Sequence, residues 1–262
     1  MNILDKIVLY KKDVVAAAKK QLPLEALQEQ VKHQPEKFSR FYDSINTHEG
    51  TYLICEVKKA SPSCPEGFVE NFNHIQTAQD YIHNNIPTIS VLTDEQYFQG
   101  SNGVLRKVRS LTNSTLILRK DFTIDEYQIY EAKEMGADLI LLIAAILTEE
   151  ELERFYSLAQ SLGLGVLVEV HDEAEVNKVR HIKPNVMGVN NRNLKDFSID
   201  INQTIKLRDC VDFPCKFISE SGIKTHEDIT FLEANGADGF LVGTSLVKSG
   251  NIAEKIKELR GL

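Results

Sequence analysis

Five side chains that can donate, accept or transfer protons stand at or near the ends of apolar runs in this sequence. Glu56 and Lys58 close one run, and Lys120, Glu169 and Glu220 close three others. In a barrel of parallel strands, polar residues at the C-terminal strand ends face the mouth where ligands bind. Three carboxylates and two lysines on one rim exceed what structural ion pairing needs, so we predict a catalytic site.

Each of these residues also has a plainer interpretation. Asp121 or His171, taken alone, could equally mark the start of a solvated loop. Glu56 and Lys58, two residues apart on one side of a strand, could merely stabilise each other as an ion pair. Glu169 follows the run LGVLV, so burial should raise the pKa of its carboxyl group while neighbouring lysines oppose that shift.

Eight apolar runs rich in Val, Ile and Leu alternate with segments of helical periodicity after about residue 50. The runs are LICEV, TISVL, TLILR, DLILLI, LGVLVEV, VMGVN, KFISE and GFLVG. Their starts lie roughly 22 to 35 residues apart, which fits repeated strand–helix units and a parallel sheet covered on both faces. We therefore predict an α/β fold, the (β/α)8 TIM barrel. The alternative is an open doubly wound sheet, but no GxGxxG follows the first strand.

The barrel is predicted to occupy residues 51–262, and residues 1–50 to form an N-terminal helical extension of one or two amphipathic helices. No composition break separates the two, so a single domain over residues 1–262 is expected. The extension should cover the barrel bottom or flank the active face, with its Lys–Lys pairs forming a solvated stripe. Helices are also predicted over 125–137 and 148–163, from their acidic first turns and terminal glycines.

Composition excludes several classes of protein. A net charge of −8 argues against nonspecific nucleic-acid binding. The first residues interleave charged and apolar side chains, unlike a signal peptide, and no later run approaches a membrane span. We therefore expect a cytoplasmic protein without a membrane partner. The cysteines show no metal spacing and are predicted to be reduced and structural; they are Cys55, Cys64, Cys210 and Cys215.

Glycines at the last two strand ends indicate the ligand. Gly222 in SESGI and Gly243 in LVGTSL lie where backbone must approach something closely. Loops after strands 7 and 8 are the usual phosphate site of such barrels. The alternative is that both glycines serve tight turns only. The prediction is a small-molecule phosphorylated substrate.

The order of the longer motifs resembles that of the indole-3-glycerol phosphate synthase family of tryptophan biosynthesis. The motifs are EVKKASPS, SVLTDEQYFQG, LRKDF, LLIAAIL, EVHDE, GVNNRNL, SESGI and GFLVGTSL. They run from about Tyr52 to Ser245, and the segment before them resembles the extra helices of that family. The resemblance implies a TIM-barrel lyase that closes the indole ring of 1-(2-carboxyphenylamino)-1-deoxyribulose 5-phosphate, releasing carbon dioxide and water. It implies neither a metal nor an organic cofactor.

The resemblance also implies roles for individual residues. Lys120 is the general acid, aimed into the mouth, while Arg119 and Asp121 alternate away from it. Glu169 is the general base of the dehydration, and the further catalytic positions are Glu56, Lys58 and Asn190. Substrate-binding positions are Ser61, Phe122, Leu142, Arg192, Glu220, Ser221 and Leu241, of which Phe122, Leu142 and Leu241 sandwich the aromatic ring. Phosphate-binding positions are Gly222, Gly243 and Thr244.

The chain departs from the family pattern at Cys64, Pro65 and Glu66, where a basic or small residue and glycine are common. No motif indicates a complex with other enzymes of tryptophan biosynthesis. Two other functions compete with the synthase: a lyase that forms a Schiff base on Lys120, and a silent barrel that binds a phosphate or a partner. The carboxylates and the full set of motifs favour the synthase.

Overall fold

The computed structural model describes residues 2–32, 34, 40–193 and 196–262. Leu194, the last residue of the GVNNRNL motif, lies outside these ranges, as do parts of the predicted extension. Within the described residues, eight parallel strands close into a barrel in chain order. The strands are β1 (Leu53–Val57), β2 (Thr88–Leu92), β3 (Leu116–Lys120), β4 (Leu139–Ile143), β5 (Gly165–Val170), β6 (Val186–Asn190), β7 (Lys216–Glu220) and β8 (Gly239–Val242). The TIM-barrel prediction is confirmed.

Helices precede the barrel and connect its strands. They are α1 (Ile3–Gln21), α2 (Leu24–Lys32), α3 (Arg40–Thr47), α4 (His74–His83), α5 (Asn102–Leu111), α6 (Glu126–Glu134), α7 (Glu149–Ser161), α8 (Glu173–Val179), α9 (Asn202–Arg208), α10 (His226–Ala234), α11 (Thr244–Val247) and α12 (Ile252–Leu259). Both barrel helices predicted from sequence are confirmed, and Thr148 with Glu151 forms a capping box at the start of α7. None of the described helices is long and apolar enough to cross a membrane.

Side chains alternate between the barrel interior and the surrounding helices, and this alternation aims the polar strand ends. Leu116 and Leu118 lie in the interior cluster, whereas Ile117 packs on the helix side. Lys120 therefore shares the interior face of β3. Arg119 lies on the other face, where it donates to the Gln128 carbonyl at 2.7 Å. The prediction that Arg119 alternates away from Lys120 is confirmed, whereas Asp121 is among the residues that line the cavity described below.

Within its described residues, the extension forms three helices rather than one or two. Leu22 is extended and precedes Pro23, which separates α1 from α2 because a residue before proline disfavours the helical conformation. Helix α1 flanks the mouth, where Ile7 lines the cavity described below. Helix α3 covers the bottom, where Arg40 donates to the carbonyls of Asn113 and Ser114. Both predicted placements are thus present, on different helices.

One lysine of the predicted solvated stripe is buried instead. Lys11 in α1 is only 3% exposed, and its Nζ lies 3.0 Å from Asp94 Oδ2 and 2.7 Å from Asp121 Oδ1. Asp94 follows β2 and Asp121 follows β3, so the lysine joins α1 to two strand ends. Asp121 is also buried and does not begin a solvated loop. The prediction was wrong for Lys11, whereas Lys12 is exposed as expected.

Replacing Lys11 with methionine should lower the free energy of unfolding by about 3–5 kcal/mol, because Asp94 and Asp121 would stay buried without their cation. Urea unfolding measures this change through the transition midpoint. Lys12→Met is the matched control and should shift the free energy by less than about 0.5 kcal/mol. Equal midpoints for the two variants would contradict a stabilising role for the buried pair.

Candidate active site

A cavity of about 470 Å³ opens at the C-terminal ends of the strands. It is bounded by strand ends, by the loop after β1 and by the first turns of α1. All but one of the sequence-predicted site residues line it. Those that do are Glu56, Lys58, Ser61, Lys120, Phe122, Glu169, Asn190, Arg192, Glu220, Ser221, Gly222, Leu241, Gly243 and Thr244.

Leu142 is the exception, and its predicted contact with the aromatic ring is wrong. In β4, Leu142 pairs with Val168 and packs among the residues facing the helices. Ile143 pairs with Glu169, and paired neighbours in a barrel face the same side. Leu141 and Ile143 therefore line the cavity in its place. The alternation that fixes Glu169 could have identified both.

Lys120 lies at the centre of the polar cluster. Its Nζ donates to Glu169 Oε2 at 2.9 Å and lies 3.2 Å from Glu220 Oε2. Burial alone would lower the pKa of Lys120, but the carboxylates of Glu169, Glu220 and Glu56 outweigh burial and raise it. The ammonium group is therefore held in its charged form beside the cavity.

Both carboxylate oxygens of Glu169 have polar partners. Oε2 accepts from Lys120, while Oε1 accepts from Asn190 Nδ2 at 3.2 Å and lies 3.2 Å from His171 Nε2. Burial raises the pKa of Glu169, but Lys120 and His171 more than reverse this and hold it well below its ordinary value. Of the two opposing effects expected from sequence, the positive charges prevail. The carboxylate is ionised and fixed in orientation.

Glu220 differs from Glu169 in the direction of its pKa shift. Burial raises the pKa of Glu220 to about 8, with Lys120 opposing and Glu169 adding to the shift. The side chain lies over Gly188, where an added Cβ would come 2.0 Å from Glu220 Oε1. Only glycine at that position leaves room for this carboxyl group. Glu220 therefore takes up a proton more readily than Glu169, and in its protonated form it can donate a hydrogen bond into the site.

The rim beside β1 carries a second lysine. Lys58 Nζ lies 2.5 Å from Glu56 Oε2, so the ion pair weighed from sequence is present and also lines the cavity. The Phe68 ring, in the loop after β1, lies 5.5 Å from Lys58 Nζ and 5.5 Å from Lys248 Nζ. Both lysines are within range of a cation–π contact.

The departure from the family pattern lies in this same loop. Cys64 exchanges backbone hydrogen bonds with Ser61, at 3.3 and 2.8 Å, and its thiol donates to the Gly67 carbonyl at 3.1 Å. The Pro65 carbonyl accepts from Gln99 Nε2 at 2.7 Å. The unusual residues thus form a compact turn attached to the loop after β2.

The two glycines near strands 7 and 8 occupy positions that a side chain would obstruct. Gly222 has φ +90°, and an added Cβ would lie 2.7 Å from Ile199 Cγ2. At Gly243 the added atom would lie 2.7 Å from Glu56 Oε2. Lys248 and Lys224 line the cavity on this side. Exposed backbone and nearby ammonium groups suit an anionic group here.

Apolar side chains line the cavity near the ends of β2 and β3. The rings of Phe98 and Phe122 are 5.9 Å apart, and Leu241 contributes to the same interior cluster. Ile3 and Ile7 extend this surface from α1. One side therefore suits an aromatic group and the other an anion, with Lys120 and Glu169 also on the lining.

Comparison with known proteins agrees with this arrangement. A family model described as indole-3-glycerol phosphate synthase matches residues 4–259. The chain belongs to this family. A relative of that name from Ruminiclostridium cellulolyticum is 43% identical over 261 residues, 99% of each chain. Another from Alkaliphilus metalliredigens is 40% identical over 259 residues, 98% of each chain.

A solved structure, KGPDC from Streptococcus mutans, is similar in fold. The TM-score is 0.61 with 12% sequence identity, and the match covers 81% of this chain and 97% of the other. At that identity the likeness supports the barrel alone. The resemblance to indole-3-glycerol phosphate synthase seen in the sequence motifs is confirmed over nearly the whole chain, which makes the protein a carboxy-lyase of tryptophan biosynthesis.

Several residues that line this cavity or lie behind it were not predicted from sequence. Leu141 follows from strand alternation, as described above. Ile7 required knowing that α1 reaches the mouth, which its amphipathic pattern does not reveal. His171 was left open between a site residue and a loop start, and it proves to be mostly buried behind Glu169.

Proposed function

We propose that this cavity converts 1-(2-carboxyphenylamino)-1-deoxyribulose 5-phosphate to indole-3-glycerol phosphate, with Lys120 as general acid and Glu169 as general base. One observation supports the proposal above all: the Lys120 ammonium contacts two carboxyl groups, those of Glu169 and Glu220. All three side chains line a cavity that has one apolar and one cationic side. An acid and a base within hydrogen-bond distance of each other can serve two consecutive proton transfers.

The differing sides of the cavity orient the substrate. The aryl ring packs against Phe122 and Leu241, and the phosphate binds the backbone near Gly222, Gly243 and Thr244. Ser61 and Ser221 offer hydroxyl groups to the polar parts of the substrate. Arg192 lines the cavity and supplies a positive charge for the substrate carboxylate.

Ring closure needs a cation at the ketone. The ring carbon that bears the carboxylate attacks the ketone carbon, and the ketone oxygen takes a proton from Lys120. Carbon dioxide then leaves, and its bonding electrons restore the aromatic ring. Lys58 and Asn190 assist at the same oxygen, where developing negative charge is stabilised by donors already in place.

Dehydration follows once Lys120 has given up its proton. A neutral amine no longer lowers the pKa of Glu169, so its carboxylate becomes a stronger base at the moment it is needed. Glu169 removes a proton from the methylene carbon, and the hydroxyl group leaves as water with a proton supplied from the Glu56–Lys58 pair. Protonated Glu220 donates a hydrogen bond to the substrate during both steps.

A Schiff-base lyase is not favoured by the same cluster. The nucleophile of such an enzyme is a neutral amine, usually obtained by lowering the pKa of the lysine. Around Lys120 the carboxylates raise the pKa instead. Borohydride treatment with substrate should therefore leave Lys120 unmodified.

The assay for the proposal exploits the absence of tryptophan from the sequence. Purified protein mixed with the substrate should produce indole fluorescence over a tyrosine background, at a rate proportional to protein concentration. Folded protein that yields no emission from intact substrate would contradict the proposed function.

The phosphate end gives a separate prediction. Gly222→Ala should raise KM about tenfold with little change in kcat, because phosphate contacts hold ground state and transition state equally. Both the positive φ and the approach of Ile199 oppose a side chain there. Gly103→Ala is the matched control, since its added Cβ meets only Ser101 Oγ, at 3.6 Å. A kcat loss without a KM change would contradict phosphate binding at Gly222.

A further inference from the structure

His171 is the first residue after β5 and lies behind Glu169, outside the residues that line the cavity. Its ring is between two carboxyl groups: Nε2 is 3.2 Å from Glu169 Oε1, and Nδ1 is 3.1 Å from Glu175 Oε2. The backbone N–H of His171 also donates to Glu175 Oε2, at 2.9 Å. Glu175 lies in α8 and is slightly more exposed than the ring, so the three side chains run from the site toward the surface.

A ring that faces a carboxyl oxygen at each nitrogen is stabilised with a proton on both. Burial alone would lower the pKa of His171, but Glu169 and Glu175 outweigh burial and raise it to about 10. Two of the hydrogen-bonding neighbours from other elements are neutral amides. Gln203 of α9 donates to the His171 carbonyl, and Asn190 of β6 donates to Glu169. Lys120 is the other cation at Glu169 and contacts the opposite oxygen.

We propose that His171 is a positioning residue that remains a cation at working pH and, anchored by Glu175, keeps the Glu169 carboxylate ionised and turned toward the substrate. The division of contacts supports this role. His171 and Asn190 occupy Oε1, which leaves Oε2 directed to Lys120 and the cavity. The contact of Nε2 with Oε1 is an ion pair rather than a well-directed hydrogen bond, so charge is what the histidine contributes.

The cation at His171 matters most when Lys120 turns to the substrate. Glu169 then loses the partner on Oε2, and without a second positive charge the buried carboxylate would take up a proton before the dehydration step. His171 prevents that loss while remaining outside the cavity. The inference rests on the proposed role of Glu169 as base.

The charge of His171 can be measured without any assay of activity. Nitrogen-15 NMR of the histidine rings distinguishes doubly from singly protonated imidazole, and the signal of His171 is assigned by its disappearance in His171→Asn. At pH 8 we expect this ring to remain fully protonated. Glu175→Gln should move its titration at least about one pH unit lower. A His171 that titrates near 6.5 would overturn the proposal.

The effect on catalysis is read from the pH profile of kcat/KM. His171→Asn keeps an amide donor but loses the charge, so the acidic limb should move about one pH unit higher while KM near neutral pH stays unchanged. His181→Asn, at an exposed histidine, is the matched control. An acidic limb that coincides with wild type would overturn the proposal.

Failure of the proposed function would look different. If Glu169→Gln kept full activity, Glu169 would not be the base, whereas the NMR result for His171 would stand on its own. If Glu169→Gln is inactive and the His171→Asn profile is unshifted, only the role of His171 is overturned.

Discussion

Replacing Lys120 with alanine is expected to lower kcat by about 1,000-fold while the barrel stays folded. In the proposed mechanism the ammonium group is the proton donor for ring closure and also the cation nearest the developing alkoxide. Loss of such a group typically costs 10² to 10⁴ in rate, about the expected size here. Indole emission under saturating substrate measures the loss. Lys107→Ala removes an exposed lysine from α5 and should leave kcat unchanged.

Lys120→Ala should also change the protonation of the carboxyl groups that remain in the site. Without Lys120, Glu169 and Glu220 lack the cation between them, and the pKa of both groups should rise. Protonated Glu220 limits the repulsion, which is why we expect a folded protein by circular dichroism. Turnover near the wild-type rate in folded Lys120→Ala would contradict the role of the lysine.

Replacing Glu169 with glutamine should lower kcat by about 100-fold or more, because an amide cannot accept the methylene proton. The shape of the side chain is kept, and the change removes one negative charge beside Lys120 and His171. KM should change little, since the aryl and phosphate contacts remain. Glu153→Gln, on the exposed face of α7, is the matched control. A Glu169→Gln enzyme of unchanged kcat would require another base.

The strands were predictable because each is a short apolar run buried on both faces, and period-two alternation then aims Lys120 and Glu169 inward. Leu142 was misassigned although the same rule applies to it. The family resemblance placed Leu142 against the aromatic ring of the substrate, but its position in β4 directs it to the helices. Register with Glu169 decides such cases, and residue type does not.

Lys11 was misassigned for a different reason. Lys11 and Lys12 have the same chemistry, and the acidic partners of Lys11 lie far along the chain, so local pattern favours solvent for both. The helical phase nevertheless distinguishes them: Ile7, Lys11 and Val15 recur every four residues and form the buried stripe of α1. A charge on such a stripe predicts a buried partner.

The role of His171 depends on a contact that only the three-dimensional structure reveals. Its position after β5 is visible in the sequence, and Glu175 four residues later fits a contact across the first turn of α8. That the ring also reaches Glu169 depends on the backbone bend between the strand and the helix. The motif EVHDE shows which residues follow β5, but it does not show the charge that the histidine carries.

In the proposed mechanism, Lys120 acts before decarboxylation and Glu169 after it. The most direct measurement is a single turnover with carboxyl-labelled substrate, following labelled carbon dioxide and indole emission together. Within the time of one wild-type turnover, we predict that Glu169→Gln releases about one equivalent of carbon dioxide per enzyme without indole emission. Lys120→Ala should give neither product in that time. Carbon dioxide release by Lys120→Ala at the wild-type rate, or its loss in Glu169→Gln, would contradict the claim.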